Sequence, residues 1–234
     1  MKASQVIQIL TKAIPQEIEW SVGEPYGPFG VDTESDVQKI LYCVTPTPEV
    51  VKYFKKHKYD LIISHHPFVV GVPQIILHTS LDCCSGGLND SWRDALGIQD
   101  AKHFDSSLGW AGKIPPIKFQ DLVKKCGIFV GQDVIGQVHS DLDVIESVVV
   151  CSGLGGMVTD LARETGAQCY VLGEATESVK KMGFKAVIEI GHTLSERMGV
   201  NLIRDLLPGI QVCGAPLNID VFGKETYLGK RRKA

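Results

Sequence analysis

The chain has 234 residues, 44% of them hydrophobic and 22% charged, with a formal net charge of −3 and a mean hydropathy of +0.07. That is the balance of an ordinary globular protein with a sizeable core, built as one large α/β unit or as two of roughly 100 residues each. It provides no basic footprint for nucleic acid, and no apolar run approaches the roughly 18 residues of a membrane span.

The first stretch, "MKASQVIQILTKAIPQEIEW", sets lysine and glutamine among apolar positions and reads as an amphipathic helix, not a signal peptide. Residues 23–32, "GEPYGPFGVD", form a turn-rich loop with no assigned place. A β-rich run follows at Lys39–Thr45, and then "TPTPEVVKYFKKHKYD". There Thr47 suits an N-cap, Pro48 the first helical position, and Val50, Val51 and Phe54 the buried stripe. "DLIIS" is the next strand and runs into His65-His66-Pro67. "PQIILHTSLD" reads as another strand, closed by "CCSGG", and Asn89 as the cap of a short helix stopped by Gly97. The stretch "SSLGWAGKIPPIKF" marks a crossing or a boundary.

A second alternating run starts near Val144. "IESVVVCSG", "AQCYVLGE" and "KAVIEIGH" read as strands, separated by helices over "GMVTDLARETG" and "ATESVKKMG". "TLSERMGVNLIRDLLPG" reads as one last helix. This order implies parallel strands joined by right-handed crossovers, hence an α/β fold. The seven cysteines sit in apolar runs without framework spacing, so reduced thiols and a cytoplasmic location are expected.

Potential metal ligands gather where such sheets bind ligands, at the carboxyl ends of strands. His65 and His66 stand where Pro67 takes the chain out of the sheet. Asp82 closes "IILHTSLD", with His78 four residues earlier as a partner that orients a ligand. His192 and Glu196 are four apart at a strand-to-helix junction, although Thr193 and Glu196 also make a good capping box. Five ligands are too many for one catalytic zinc with an open position and suit two divalent ions with one bridging carboxylate, for which Glu196 is the natural choice. Mixed nitrogen and oxygen donors fit iron, zinc, manganese, nickel or cobalt. Two such ions against two carboxylates and a bridging hydroxide leave a positive site, which calls for an anionic small-molecule substrate.

Taken in order, "DLIISHHPF", "HTSLDCCSGGLND", "CSGLGG", "YVLGE" and "GHTLSE" resemble the NIF-three-like (dinuclear metal centre) family, many members of which carry the name type 2 GTP cyclohydrolase I. The resemblance implies metal ligands at His65, His66, Asp82, His192 and Glu196, and two α/β domains with a metal cleft between them. It also implies a toroidal homohexamer. The expected division is a metal-binding region of residues 1–105 with 186–234, and a second region of 106–185. This chain reads "HTSLDCC" where the family usually has "HTNLD".

Other signals are weaker. "CSGLGGM" could be a phosphate-binding turn, but Val158 stands where a dinucleotide fingerprint needs its third glycine, so a tight strand-to-helix turn is preferred. Glu174 is placed close to the cleft by the resemblance. His103 and Asp105 are within conceivable reach. Cys83 and Cys84 are read as small buried hydrophobes rather than ligands. The function that follows is a metal-dependent hydrolase acting on a phosphorylated or nucleotide-like small molecule. The rivals are a non-catalytic metal-binding, trafficking or adaptor protein and, resting only on "SGLGG", a metal-free nucleotide-binding module.

Overall fold

The computed structural model describes residues 1–16, 23, 25–104, 108–134 and 136–222. Asp105, the end of the N-terminal stretch and the basic tail lie outside them. The chain divides into two compact units, one of Met1–Gly87 with Arg197–Ala234 and the other of Leu88–Glu196. Among the described residues no helix is long and apolar enough to cross a membrane.

The first unit holds a five-stranded sheet in the order β1-β4-β3-β2-β11. Its strands are β1 (Gly27–Phe29), β2 (Lys39–Cys43), β3 (Leu61–Ser64), β4 (Gln74–Ile76) and β11 (Gln211–Gly214). β2, β3, β4 and β11 are parallel, and β1 runs antiparallel to β4. The turn-rich "GEPYGPFGVD" thus contributes an edge strand. All four residues of β3 are buried, as expected of a strand covered on both faces. Helix α1 (Ala3–Ala13) buries Ala3, Val6 and Leu10. Helix α2 (Pro48–Lys56) starts as its sequence dictates: Thr47 accepts a hydrogen bond from Val50 N at 3.1 Å, and Val50 and Phe54 are buried.

One expected strand is largely a helix. Only Gln74–Ile76 of "PQIILHTSLD" pairs in the sheet, and His78–Cys83 forms α3. Short apolar runs do not distinguish strand from helix by periodicity, so tertiary packing decides. His78 and Asp82 are therefore one helical turn apart, not alternate positions on a strand. The last helix is likewise two, α7 (His192–Glu196) and α8 (Gly199–Leu206). A β-carbon at Gly199 would run into the Tyr42 ring and hydroxyl, so α8 opens with its backbone packed against β2.

The second unit carries a six-stranded sheet in the order β5-β6-β8-β9-β10-β7. Its strands are β5 (Gln99–Phe104), β6 (Gly109–Lys118), β7 (Val138–Ser140), β8 (Val144–Cys151), β9 (Cys169–Leu172) and β10 (Ala186–Glu189). β8, β9 and β10 are parallel, as the alternating pattern requires. The "WAGKIPPIK" stretch is strand β6, not a crossing. Its register against β8 shifts between Lys113 and Ile117, the segment holding Pro115 and Pro116, which have no N–H for the ladder. Helix α4 (Leu88–Leu96) includes Asn89 instead of being capped by it, and α5 (Phe119–Val130) follows β6. Helix α6 (Thr159–Glu164) is short, and "ATESVKKMG" supplies only a 3-10 turn at Val179–Lys181.

Candidate metal centre

In the first unit the ligand-bearing segment is the exit of β3. His65 and His66 continue the ladder for two residues, donating backbone N–H bonds to Cys43 O at 3.0 Å and Val44 O at 2.8 Å. Their side chains then lie beside each other, with ring centroids 5.3 Å apart. The following loop is organised by Gln74, which is fully buried. Its amide donates to Ser64 Oγ at 2.7 Å and Phe68 O at 2.9 Å, and its carbonyl accepts from Val70 N at 3.1 Å. Nothing local in the sequence marks Gln74 for this task.

Helix α3 brings His78 and Asp82 to the same place. The His78 ring lies 5.0 Å from that of His65 and 5.7 Å from that of His66. One ring nitrogen from each of the three histidines lies within 4.8 Å of the others. His65 Nε2 is 3.7 Å from Asp82 Oδ2. Donors on one ion sit about 3–3.5 Å apart when metal bonds are about 2.1 Å, so this donor set could hold a metal ion once the side chains draw together. His78, expected to act behind the ligands, is grouped as tightly as the two expected ligands.

In the second unit His192 opens α7 and Glu196 closes it. His192 Nε2 is 3.2 Å from Glu196 Oε1, while its Nδ1 is 2.9 Å from Glu174 Oε2. Because α7 begins at His192, Thr193 is a helical residue and not an N-cap, and the Glu196 carboxylate faces His192. Glu174 sits behind the imidazole in the arrangement that makes the opposite nitrogen available to a metal.

The "CSGLGG" turn serves this pair through its first glycine. Gly153 has φ +59°, and a β-carbon there would fall on Glu196 Oε1. Gly153 N donates to Ser195 Oγ at 2.9 Å, and Ser195 Oγ donates to His192 O at 2.7 Å. Asn89 fixes the residue before it: its Oδ1 accepts from Ser152 N and Ser152 Oγ, both at 3.0 Å. Trp92 Nε1 donates to Ser195 O at 3.0 Å. Gly153, Asn89, Trp92 and Ser195 escape a local reading of the sequence; only the SGLGG motif hinted at one of them.

His103 is turned to another task. Its ring lies tilted against that of Trp110 at 3.5 Å between centroids, and its Nδ1 is 3.2 Å from Gly109 O. Cys84 is buried, with Sγ 3.7 Å from Leu81 O, and Cys83 is half-buried.

Two α/β units, one with three clustered imidazoles and an aspartate and the other with a carboxylate-backed His–Glu pair, make an α/β protein whose buried side chains could hold a metal ion. The family model for Duf34/NIF3 (NGG1p interacting factor 3) matches residues 1–76 and 71–222, and the chain belongs to that family. A relative from Clostridium perfringens named GTP cyclohydrolase 1 type 2 homolog is 26% identical, over 84% of this chain and 87% of its own. One of the same name from Methanocaldococcus jannaschii is 23% identical, over 88% and 95%. Among solved structures, reduced HcgD from Methanocaldococcus jannaschii superposes with a TM-score of 0.77 at 21% identity, covering 92% of this chain and 97% of that one. TTHA1606 from Thermus thermophilus does so at 0.75 and 22%, covering 96% and 100%. These likenesses establish the fold.

Proposed function

We propose that the chain holds two divalent cations through His65, His66, Asp82, His192 and Glu196, and acts as a metal-dependent hydrolase on a phosphorylated or nucleotide-like small molecule. The observation that carries this reading is the gathering of three imidazoles and one carboxylate at the exit of β3. The His192–Glu196 pair, backed by Glu174, supplies the remaining donors. When bound, two such cations supply Lewis acidity and an acidified water. The chain's own residues set the rest. Glu174 holds His192 in one orientation, and Gly153 lets the backbone approach the Glu196 carboxylate. Asp82, Glu174 and Glu196 carry three negative charges against four on the cations, so the site is positive until the bound water ionises and in that state favours an anionic substrate.

The names of the relatives make GTP the first substrate to try. Elemental analysis of protein purified without added metal should find about two transition-metal ions per chain, and His65→Ala should lower that number. Metal-loaded protein should then consume GTP or another nucleotide. Stoichiometric metal without turnover of any phosphorylated compound would favour the binding or trafficking reading. Absence of metal in both native and reconstituted protein would overturn both. The seven cysteines form no disulfide among the described residues, and the proposed site of action is cytoplasmic.

The proposed assembly is a ring-shaped homohexamer, closed symmetry being what keeps a self-associating surface from running on into filaments. Light scattering should give about six times the 25.6 kDa of the chain. A mass near that of one chain at micromolar concentration would refute the ring.

A further inference from the structure

His66 is held by groups that the ligand set does not include. Thr45 Oγ1 lies 2.9 Å from His66 Nδ1, and both residues are buried. Thr45 is itself fixed from far along the chain. The carboxylate of Asp220, 1% exposed, accepts from Val44 N at 3.0 Å and Thr45 N at 2.8 Å. Two residues on, the Phe222 ring lies 4.4 Å from that of His66. Thr47 Oγ1 donates to Ile219 O at 2.8 Å, so the segment around Asp220 is tied down at a second point. All of these groups belong to the first unit.

A neutral imidazole carries its proton on one nitrogen and offers a lone pair on the other. With the proton on Nδ1 and donated to Thr45 Oγ1, Nε2 keeps the lone pair that a metal needs. With Thr45 donating instead, Nε2 carries the proton and cannot bind a metal without losing it. Ligation through Nε2 therefore needs the hydroxyl as an acceptor. His192 meets the same need differently, through a carboxylate at its Nδ1.

We propose that Thr45, anchored by Asp220, is a positioning residue for His66: it accepts the Nδ1 proton, sets the tautomer, and presents Nε2 to a metal ion. This rests on the reading of His66 as a ligand, but its first test does not. Long-range nitrogen–proton NMR on metal-free protein with labelled histidine reads the tautomer directly. The wild type should show His66 protonated at Nδ1. Thr45→Ser, which keeps an acceptor, should preserve that pattern, and Thr45→Val should shift His66 toward the Nε2-protonated form. Zinc affinity, measured by competition with a chromogenic chelator, should fall roughly 10–100-fold in Thr45→Val, the usual range for a partner behind a ligand. Thr45→Ser should stay within about threefold of wild type, which a purely structural role for the residue would not require.

A wild-type spectrum with the His66 proton on Nε2 would overturn the proposal, and this needs no variant to fold. So would a Thr45→Val protein with unchanged tautomer and zinc affinity. If the wild type takes up no zinc while His66 is protonated at Nδ1 and responds to Thr45→Val, the metal reading fails and the positioning of His66 by Thr45 stands.

Discussion

Replacing Gly153 by alanine separates two effects that a single glycine substitution usually confounds. At φ +59° an alanine costs about 1–2 kcal/mol relative to its preferred conformations. Roughly 0.4–1 kcal/mol of that is offset because the unfolded chain is less free. The same arithmetic applies to Gly166, which has φ +70° but open space around its missing β-carbon. Gly166→Ala therefore measures the backbone effect alone, about 1 kcal/mol. At Gly153 the new carbon meets Glu196 Oε1, the tip of a side chain with three rotatable bonds, so the carboxylate swings aside before the backbone opens. Losing its contact with His192 adds about 1 kcal/mol. Urea unfolding in chelator should thus place Gly153→Ala about 2 kcal/mol below wild type and Gly166→Ala about 1 kcal/mol below. The metal affinities should diverge far more. Partners behind a ligand are worth about 10–100-fold, so displacing a ligand should weaken zinc binding by more than about 100-fold, while Gly166→Ala leaves it unchanged. Equal zinc affinity in Gly153→Ala and wild type would refute the chain of reasoning from the turn to Glu196. A folding cost above about 4 kcal/mol in chelator would show that the carboxylate does not move aside.

Further expectations use the same geometry. Glu196→Gln should sharply lower metal per chain by elemental analysis with only a modest change in melting temperature in chelator; unchanged metal content would return Glu196 to a structural role. Glu174→Ala removes the acceptor behind His192 and should weaken zinc binding roughly 10–100-fold by chelator competition, an effect absent if His192 is not a ligand. Burial pushes the Cys126 thiol up to about 12 and raises Cys169 and Cys43 as well. The folded chain keeps these protons where the unfolded chain, with thiols near about 8.5, has begun to lose them. Their contribution to stability is intact below that value and declines as pH rises toward 12. The urea midpoint should therefore fall above about pH 9, more steeply in wild type than in Cys126→Ala, and native Cys126 should resist alkylation until the protein unfolds; identical slopes would refute the assignment.

Much of the architecture follows from local chemistry. Thr47 and Pro48 dictate where α2 begins, and the apolar run Leu61–Ile63 followed by His65-His66-Pro67 dictates a buried strand and its exit. The same holds for β8, β9 and β10, whose buried apolar runs are separated by glycine-bearing segments. The expected ligand positions were picked because histidines and carboxylates near strand ends are chemically conspicuous, although Asp82 lies on α3 and Glu196 on α7. Local chemistry did not separate strand from helix in "IILHTSLD", where a few apolar residues satisfy either period until the surrounding surfaces choose. Nor did it reveal β11, a four-residue strand with one buried side chain that exists because β2 offers an unpaired edge. The supports of the site were the least legible. Asp220 caps backbone groups 175 and 176 residues away, Asn89 holds Ser152 across 63, and Gly153 makes room for a carboxylate in α7. Aspartate, asparagine and glycine at those positions look like ordinary turn and cap residues. What they do depends on which distant backbone each is packed against, and only the tertiary structure brings those partners together.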